Sequence, residues 1–176
     1  MIDIVNTTKP NNNVNNTNDP KKNPAILIDF IAYPKWTHSI RVGEYTNFLS
    51  NEKECSKQFY NLINNLLPYI QRQGKNIFSG PDKCHLIKDD KRVLAVKIIE
   101  KIHGIVISKE TELWQLGNIG GTRLVSTLIS GTKDEDSITV YPLFIDHNHL
   151  IYPSIKNNQK DYSKKGCGFC PQEKYS

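Results

Sequence analysis

The sequence has no apolar run long enough to cross a bilayer, and its hydrophobic start, Met1 to Val5, is followed at once by polar residues. We therefore predict neither a membrane span nor a signal peptide, and we expect a cytoplasmic protein. Cysteine is scarce, with 4 in a chain of 176 residues. That is too few for a disulfide scaffold in a chain of this length, so the expected state of these cysteines is the free thiol.

The sequence also lacks the short motifs of the common enzyme classes. It has no phosphate-binding loop, dinucleotide fingerprint, metalloprotease helix or nucleophile elbow. Whether the chain is an enzyme is therefore not decided at this level. Function has to be sought in less specific groups of residues.

Composition divides the chain into three regions. Residues 1–24 are rich in Asn, Thr, Pro and Lys and have little to bury, so we predict that they are disordered. Residues 25–155 form one predicted globular domain, with 15 Lys and Arg against 14 Asp and Glu. Residues 156–176 are a basic tail that ends in a CxxC motif, with 5 Lys against 2 acidic residues. The excess positive charge thus lies mainly outside the domain, which weakens a nucleic-acid interpretation.

Two helices are expected in the first half of the domain. Asn51 and Glu54 form a capping-box pattern, and the apolar residues that follow repeat at helical spacing until Pro68, which should kink or end the helix. A second helix is predicted from Asp90 to a C-cap at Gly104.

Strands account for most of the remainder. The run from Ala25 to Tyr33, which precedes the helices, suits a strand buried on both faces. Four consecutive antiparallel strands are predicted after the helices, at 113–116, 122–129, 138–145 and 150–152. Pro142 cannot donate to a ladder, so its strand lies at an edge or carries a bulge. The predicted fold class is α+β, a mostly antiparallel sheet packed against two helices.

The segment Asp146-His147-Asn148-His149 is the densest in chemistry and is expected to form a tight turn at a strand end. Two imidazoles beside a carboxylate are able to bind a divalent metal or to serve as general base and general acid near neutral pH. The alternative is structural, because Asp and Asn favour turns and the histidines would then be solvated or packed locally. We take His147 and His149 as candidate catalytic residues.

Arg123 follows Gly120-Gly121-Thr122 at the start of a strand and is the third candidate catalytic residue. A glycine turn lets backbone amides approach an anion that the guanidinium then binds. The alternative is a pair with an acidic residue on a neighbouring strand. Candidate binding residues for RNA phosphates or an acidic partner are Lys156 and Tyr152, in the one basic and aromatic neighbourhood, together with Trp36.

Cys167 and Cys170 are candidate metal ligands, because the CxxC spacing lets two thiolates reach one zinc ion. The motif is half a site, and Cys84-His85 completes it poorly because adjacent side chains diverge. No cofactor is predicted apart from zinc, should the half-site be completed.

The segments Glu112 to Leu116, Gly120 to Val125 and Ile138 to Ile145 resemble the sheet of the RelE/ParE toxin superfamily. In that family a strand like "LWEL", a turn and a "YRLVY"-type strand follow two N-terminal helices, and the resemblance spans residues 112–145. It implies that Arg123 matches the family's strand arginine. It also implies ribosome-dependent mRNA cleavage, or a related toxic interaction, neutralised by a partner antitoxin.

Two function classes follow. The first is a small cytoplasmic binding protein, of a kind found on mobile elements, that acts on a protein or RNA partner without a catalytic motif. The alternative is a toxin like those of RelE/ParE that cleaves RNA with His147, His149 and Arg123. The sequence leaves the oligomeric state open, and no membrane partner is expected.

Overall fold

The computed structural model describes residues 25–80, 83–118, 121–131, 137–154, 159 and 166–176. The predicted disorder of residues 1–24 lies outside the described residues. No helix in these ranges is long and apolar enough to cross a membrane.

The elements alternate between a main sheet, a small hairpin and helices. In chain order they are β1 (Ala25–Ile28), β2 (Arg41–Val42), β3 (Tyr45–Thr46), α1 (Glu52–Asn61), a π-helical turn (Leu62–Leu66), α2 (Leu67–Gln73), a 3₁₀ turn (Gly74–Ser79), β4 (His85–Leu86), α3 (Asp89–His103), β5 (Trp114–Gly117), β6 (Arg123–Ser130), β7 (Ser137–Asp146) and α4 (Pro171–Tyr175). The main sheet has the order β1-β7-β6-β5-β4, and β2 pairs with β3.

The predicted α+β class is confirmed. β4, β5, β6 and β7 are antiparallel neighbours, and only β1 runs parallel to its partner β7. Each face of the sheet carries its own apolar cluster. Ile98 and Ile102 of α3 pack with Val125 and Phe144 on one face, which we call the α3 face. Leu62, Leu66 and Ile70 pack with Leu124 and Ile145 on the opposite face.

The predicted helix boundaries are set by local caps. The side chain of Asn51 accepts a hydrogen bond from the Glu54 amide at 3.0 Å, and Glu54 in turn accepts one from the Ser50 amide at 2.7 Å. Gly104, in the left-handed region at φ 71°, ends α3 as predicted. Pro68 does not end the first helix, because the wide π-helical turn before it absorbs the defect and the chain continues as α2.

Three strand predictions need correction or refinement. β1 ends at Ile28 and forms an edge, so Leu27 is exposed and the strand is not buried on both faces. Residues 150–152 are not a strand, because the amides of Leu150 and Ile151 bond to the Asp146 carboxylate. Pro142 lies beside a register shift between β6 and β7, which confirms the bulge and not the edge.

Candidate polar site on the sheet

The strand register places polar side chains on the α3 face at one end of the sheet. Gly117, Arg123 and Asp146 are cross-strand neighbours in one row. His85 and Gln115 are paired one row further along the same face. We call His85, Gln115, Arg123, Asp146 and His149 the polar cluster.

Asp146 shapes the turn after β7. Its side chain is buried, and its two carboxylate oxygens accept the amides of Leu150 and Ile151, each at 2.9 Å. Burial raises the pKa of Asp146 to about 6, although these hydrogen bonds and the nearby Arg123 cation work in the opposite direction. The carboxylate therefore fixes the path of the chain that follows it.

His149 sits in the left-handed region, with φ 58°, and this conformation turns its side chain into the polar cluster. Histidine tolerates the left-handed region better than most residues. Burial lowers the pKa of His149, and the nearby Arg123 cation lowers it further, whereas a hydrogen bond to Gln159 raises it. The imidazole is half-buried.

Gln115 links the two half-buried imidazoles of the cluster. Its amide nitrogen lies 3.1 Å from Nε2 of His85 and 3.5 Å from Nε2 of His149. An NH₂ group has two protons to donate, so this orientation of the amide matches an Nε2 lone pair on each ring. The Nδ1 atom of His85 then donates to the Leu86 carbonyl at 3.4 Å.

The Oε1 atom of Gln115 is buried and accepts no hydrogen bond from the described residues. Protonation of either imidazole would turn its Nε2 into a donor facing the amide donor. A half-turn of the Gln115 amide would then present Oε1 to the imidazolium. The other ring would keep its hydrogen bond to Gln115 only if it too carried a proton on Nε2.

Arg123 is buried, and its guanidinium donates to its own neighbour's carbonyl, that of Thr122, at 2.9 Å. The side chain lies across Gly117, where a Cβ atom would come within 2.6 Å of the Arg123 Cδ. Asp146 is its register partner on β7. Asp146 is thus the acidic residue on a neighbouring strand that lies across from Arg123.

The structure separates the two histidines of the turn. His147 lies on the opposite face of the sheet, where its ring centroid is 6.1 Å from that of Phe59 in α1. It is 2% exposed, and burial lowers its pKa to about 3. His147 is neutral at physiological pH and has no access to a ligand on the α3 face.

Of the three candidate binding residues, the two that the structure describes lie apart. Tyr152 borders the polar cluster, with its ring centroid 4.8 Å from that of His85. Trp36 instead stacks on Phe30 at 5.0 Å and packs against the apolar cluster of the opposite face. Lys156 lies outside the described residues.

A cleft adjoins the polar cluster. It has a volume of about 670 Å³, and its walls come from the β2–β3 hairpin, α3 and the segment after β7. Gln159, which bonds to His149, is one of its lining residues. A ligand seated at the imidazoles would have room to extend into this cleft.

The predicted metal ligands lie elsewhere, near the N-terminus of α1. Cys167 and Cys170 are both buried free thiols. The Cys167 sulfur lies 3.5 Å from the hydroxyl of Ser50, whereas the Cys170 sulfur lies 3.9 Å from Nδ1 of His38. The two thiols thus have different neighbours.

His85 and Gln115 were missed as site residues in the sequence. His85 was considered only as a weak partner of the CxxC motif, and Gln115 only as part of a strand. The pairing of β4 with β5 brings them together, and no local pattern in the sequence reports that pairing.

Comparison with known proteins identifies a family but no activity. No solved structure matches this chain. A protein of Ureaplasma parvum serovar 3 (strain ATCC 700970), described as "Uncharacterized protein UU032", is 34% identical over 177 residues, which cover 98% of this chain and 95% of the relative. The family described as "Uncharacterised protein UU032" matches residues 32–176, and the chain belongs to it.

Proposed function

We propose that this chain is an RNA-binding protein and that the polar cluster contacts a phosphodiester group of the RNA. The observation that carries the proposal is the convergence of His85 and His149 on the amide nitrogen of Gln115, from three separate segments of the chain. Half-buried imidazoles are good partners for a phosphate oxygen, because a protonated ring offers it a charged N–H donor.

The surroundings of the cluster suit a nucleic acid. Lys83 and Lys88 are exposed on either side of β4. Tyr152 places an aromatic ring against His85, at the rim where an unpaired base is able to stack. Arg123 is too deeply buried to contact the phosphate. In this proposal its positive charge makes the electrostatic potential at the cluster more favourable to an anion.

The proposal keeps His149 and Arg123 from the sequence-based site and replaces His147 by His85. It extends the RelE/ParE resemblance, whose strand segments 112–116, 120–125 and 138–145 overlap β5, β6 and β7 in that order. It also places the protein in the cytoplasm, where its thiols would stay reduced. A protein partner at the same surface is the competing outcome.

One arrangement favours a second function, the metal-independent cleavage of the bound RNA. Two imidazoles held by one amide are able to act as general base and general acid. One would take the proton of a 2′-hydroxyl as its oxygen attacks phosphorus. The other, protonated, would give a proton to the departing 5′-oxygen, leaving a 2′,3′-cyclic phosphate.

Binding is tested by fluorescence anisotropy with a labelled single-stranded RNA, at low and at physiological salt. The His85→Gln/His149→Asn double variant should weaken binding at least tenfold, and Asn is suitable at position 149 because it tolerates the left-handed region. His103→Gln is the matched control, because His103 contacts the Leu143 carbonyl at 2.7 Å, away from the cluster. Equal affinity of the double variant and the wild type would contradict the proposal.

Cleavage is tested separately, by incubating the same RNA with the wild type in the presence of EDTA. Products ending in a cyclic phosphate, absent with the double variant, would support the second function. Intact RNA under conditions of saturated binding would reject it while leaving the binding proposal standing.

A further inference from the structure

The C-terminal segment carries a group of ligating side chains that is independent of the polar cluster. One ring nitrogen of His38, the sulfur of Cys170 and a carboxylate oxygen of Glu173 all lie within 4.8 Å of one another. Imidazole, thiolate and carboxylate are the three side-chain ligands that zinc uses in proteins. We propose that His38, Cys170 and Glu173 bind a zinc ion that anchors the C-terminal segment to the domain.

The distances are close to those of a zinc site. In a tetrahedral site with bonds of about 2.0–2.3 Å, the ligand atoms are separated by about 3.5 Å. The Cys170 sulfur lies 3.9 Å from Nδ1 of His38, whereas the 3.8 Å contact of Glu173 Oε1 is with the other ring nitrogen, Nε2. Zinc binds one nitrogen of an imidazole, and with a single His38 nitrogen the three ligand atoms lie within 4.8 Å of one another. Movement of the His38 and Glu173 side chains by about 1 Å would bring the three atoms to the separation of a zinc site.

The backbone holds the ligands in place from two directions. Leu49 and Phe169 exchange two backbone hydrogen bonds, of 3.0 Å and 2.9 Å, which position the residue just before Cys170. Cys170 is the N-cap of α4, and Glu173 follows three residues later on the same side of that helix. His38 approaches from a loop more than 130 residues earlier in the chain.

The surroundings of the sulfur are typical of a metal-bound thiolate. The backbone amide of Ser39 donates to the Cys170 sulfur at 3.2 Å, an outer contact that stabilises negative charge on the sulfur. The Thr37 hydroxyl also donates to the side-chain carbonyl of Gln172 at 3.3 Å. Both contacts join the His38 loop to the C-terminal segment that the metal would link.

This ligand set differs from the CxxC pair predicted from spacing. Cys167 stands outside the group of three, with its sulfur near the Ser50 hydroxyl. The proposed site therefore has one sulfur ligand, and its fourth position is left for water.

The test uses the full-length protein purified with zinc and then dialysed. We expect about one equivalent of zinc in the wild type and in Cys167→Ser, and less than about a tenth of an equivalent in His38→Gln and Cys170→Ser. Glu173→Gln separates loss of a ligand from misfolding as the reason for lost zinc, because the Glu173 side chain is 62% exposed. It should fold normally yet bind zinc more weakly.

X-ray absorption at the zinc edge distinguishes the ligand sets. We expect one sulfur at about 2.3 Å and the remaining ligands at about 2.0–2.1 Å. Chelation should increase hydrogen exchange in residues 166–176 and leave RNA affinity unchanged. Two sulfur ligands, loss of zinc in Cys167→Ser, or less than about a tenth of an equivalent in the wild type would overturn the proposal.

Discussion

Asp146 and His147 are adjacent in the chain and buried on opposite faces of the sheet, and their titrations have opposite effects on stability. The pKa of His147 is lowered to about 3. Below about pH 6.5 His147 therefore binds a proton in the unfolded chain but stays unprotonated in the folded chain. The contribution of His147 to stability is complete above that pH and is lost as the pH falls towards 3.

For Asp146 the direction is reversed. Its pKa is raised from 3.8 to about 6, so the folded chain keeps a proton that the unfolded chain releases between these values. Its contribution to stability is complete below pH 3.8 and is lost as the pH rises through 6. Between pH 4 and 6 the two residues change the free energy of unfolding in opposite directions. Each changes it by about 1.4 kcal/mol per pH unit.

Asp146→Asn should remove this compensation. We expect the free energy of unfolding of the variant to fall by roughly 2 kcal/mol more than that of the wild type as the pH is lowered from 6 to 4. Urea unfolding at pH 6, 5 and 4 measures this difference. Adding His147→Leu should abolish the extra slope, and parallel curves for Asp146→Asn and the wild type would show that the compensation does not exist.

At the scale of elements, the polar cluster depends on the close approach of β5 to the Arg123 side chain. A Cβ atom on Gly117 would lie 2.6 Å from Cδ and 2.7 Å from Nε of Arg123, and 3.0 Å from the Lys83 carbonyl oxygen. The carbonyl belongs to the backbone and is not free to turn away. Glycine at this position is therefore required by space.

Gly117→Ala should displace the Arg123 side chain and destabilise the protein by roughly 1–3 kcal/mol. Denaturant unfolding gives the magnitude, and a crystal structure or the NMR shifts of His149 report the displacement. Gly166→Ala is the control, because a Cβ atom there meets nothing within 4 Å. A Gly117→Ala protein as stable as this control would refute the steric account.

Hydrogen bonds of the Asn47 side chain connect the β2–β3 hairpin to the main sheet. This side chain is 1% exposed, accepts the Ile40 amide at 2.6 Å, and donates to the carbonyls of His38 and Ile145 at 3.2 Å and 3.0 Å. One residue thus joins the hairpin, the His38 loop and β7.

Asn47→Ala should cost roughly 2–4 kcal/mol of unfolding free energy, because it leaves buried backbone groups without partners. Asn64→Ala is the matched control, since its exposed side chain bonds, within the described part of the chain, to the Tyr60 carbonyl alone. We expect a change within about 0.5 kcal/mol. Thermal and urea unfolding of the two variants would decide the matter, and equal stabilities would contradict the assigned role of Asn47.

Across the whole molecule, the elements that could be predicted from the sequence are those whose signals are local. The caps at Asn51 and Gly104 were visible because a cap involves residues three or four apart. Much of the β5–β7 meander was visible because apolar runs and turn residues alternate. Residues 150–152 have the apolar pattern of a strand, yet two of their backbone amides donate to the Asp146 carboxylate. The apolar pattern does not predict this contact.

The candidate sites were harder to predict because they are assembled across the fold. Sequence patterns made His149 and Arg123 candidates, but His85 lies beside them only through the register of β4 with β5 and the Gln115 side chain. His38 and Cys170 meet only because the C-terminal segment returns to the start of the domain. Spacing favoured His147, two residues before His149, and Cys167, three residues before Cys170. The structure places His147 against Phe59 and Cys167 beside Ser50, away from the groups proposed as sites.

Binding of RNA by the imidazoles of the polar cluster can be followed by ¹⁵N NMR of the histidine side chains during a titration with single-stranded RNA. We predict that the Nε2 resonances of His85 and His149 shift together, that the pKa of His149 rises when RNA is bound, and that His147 is unchanged. RNA binding that leaves the resonances of His85 and His149 unmoved, or no binding at low salt, would refute the proposed function.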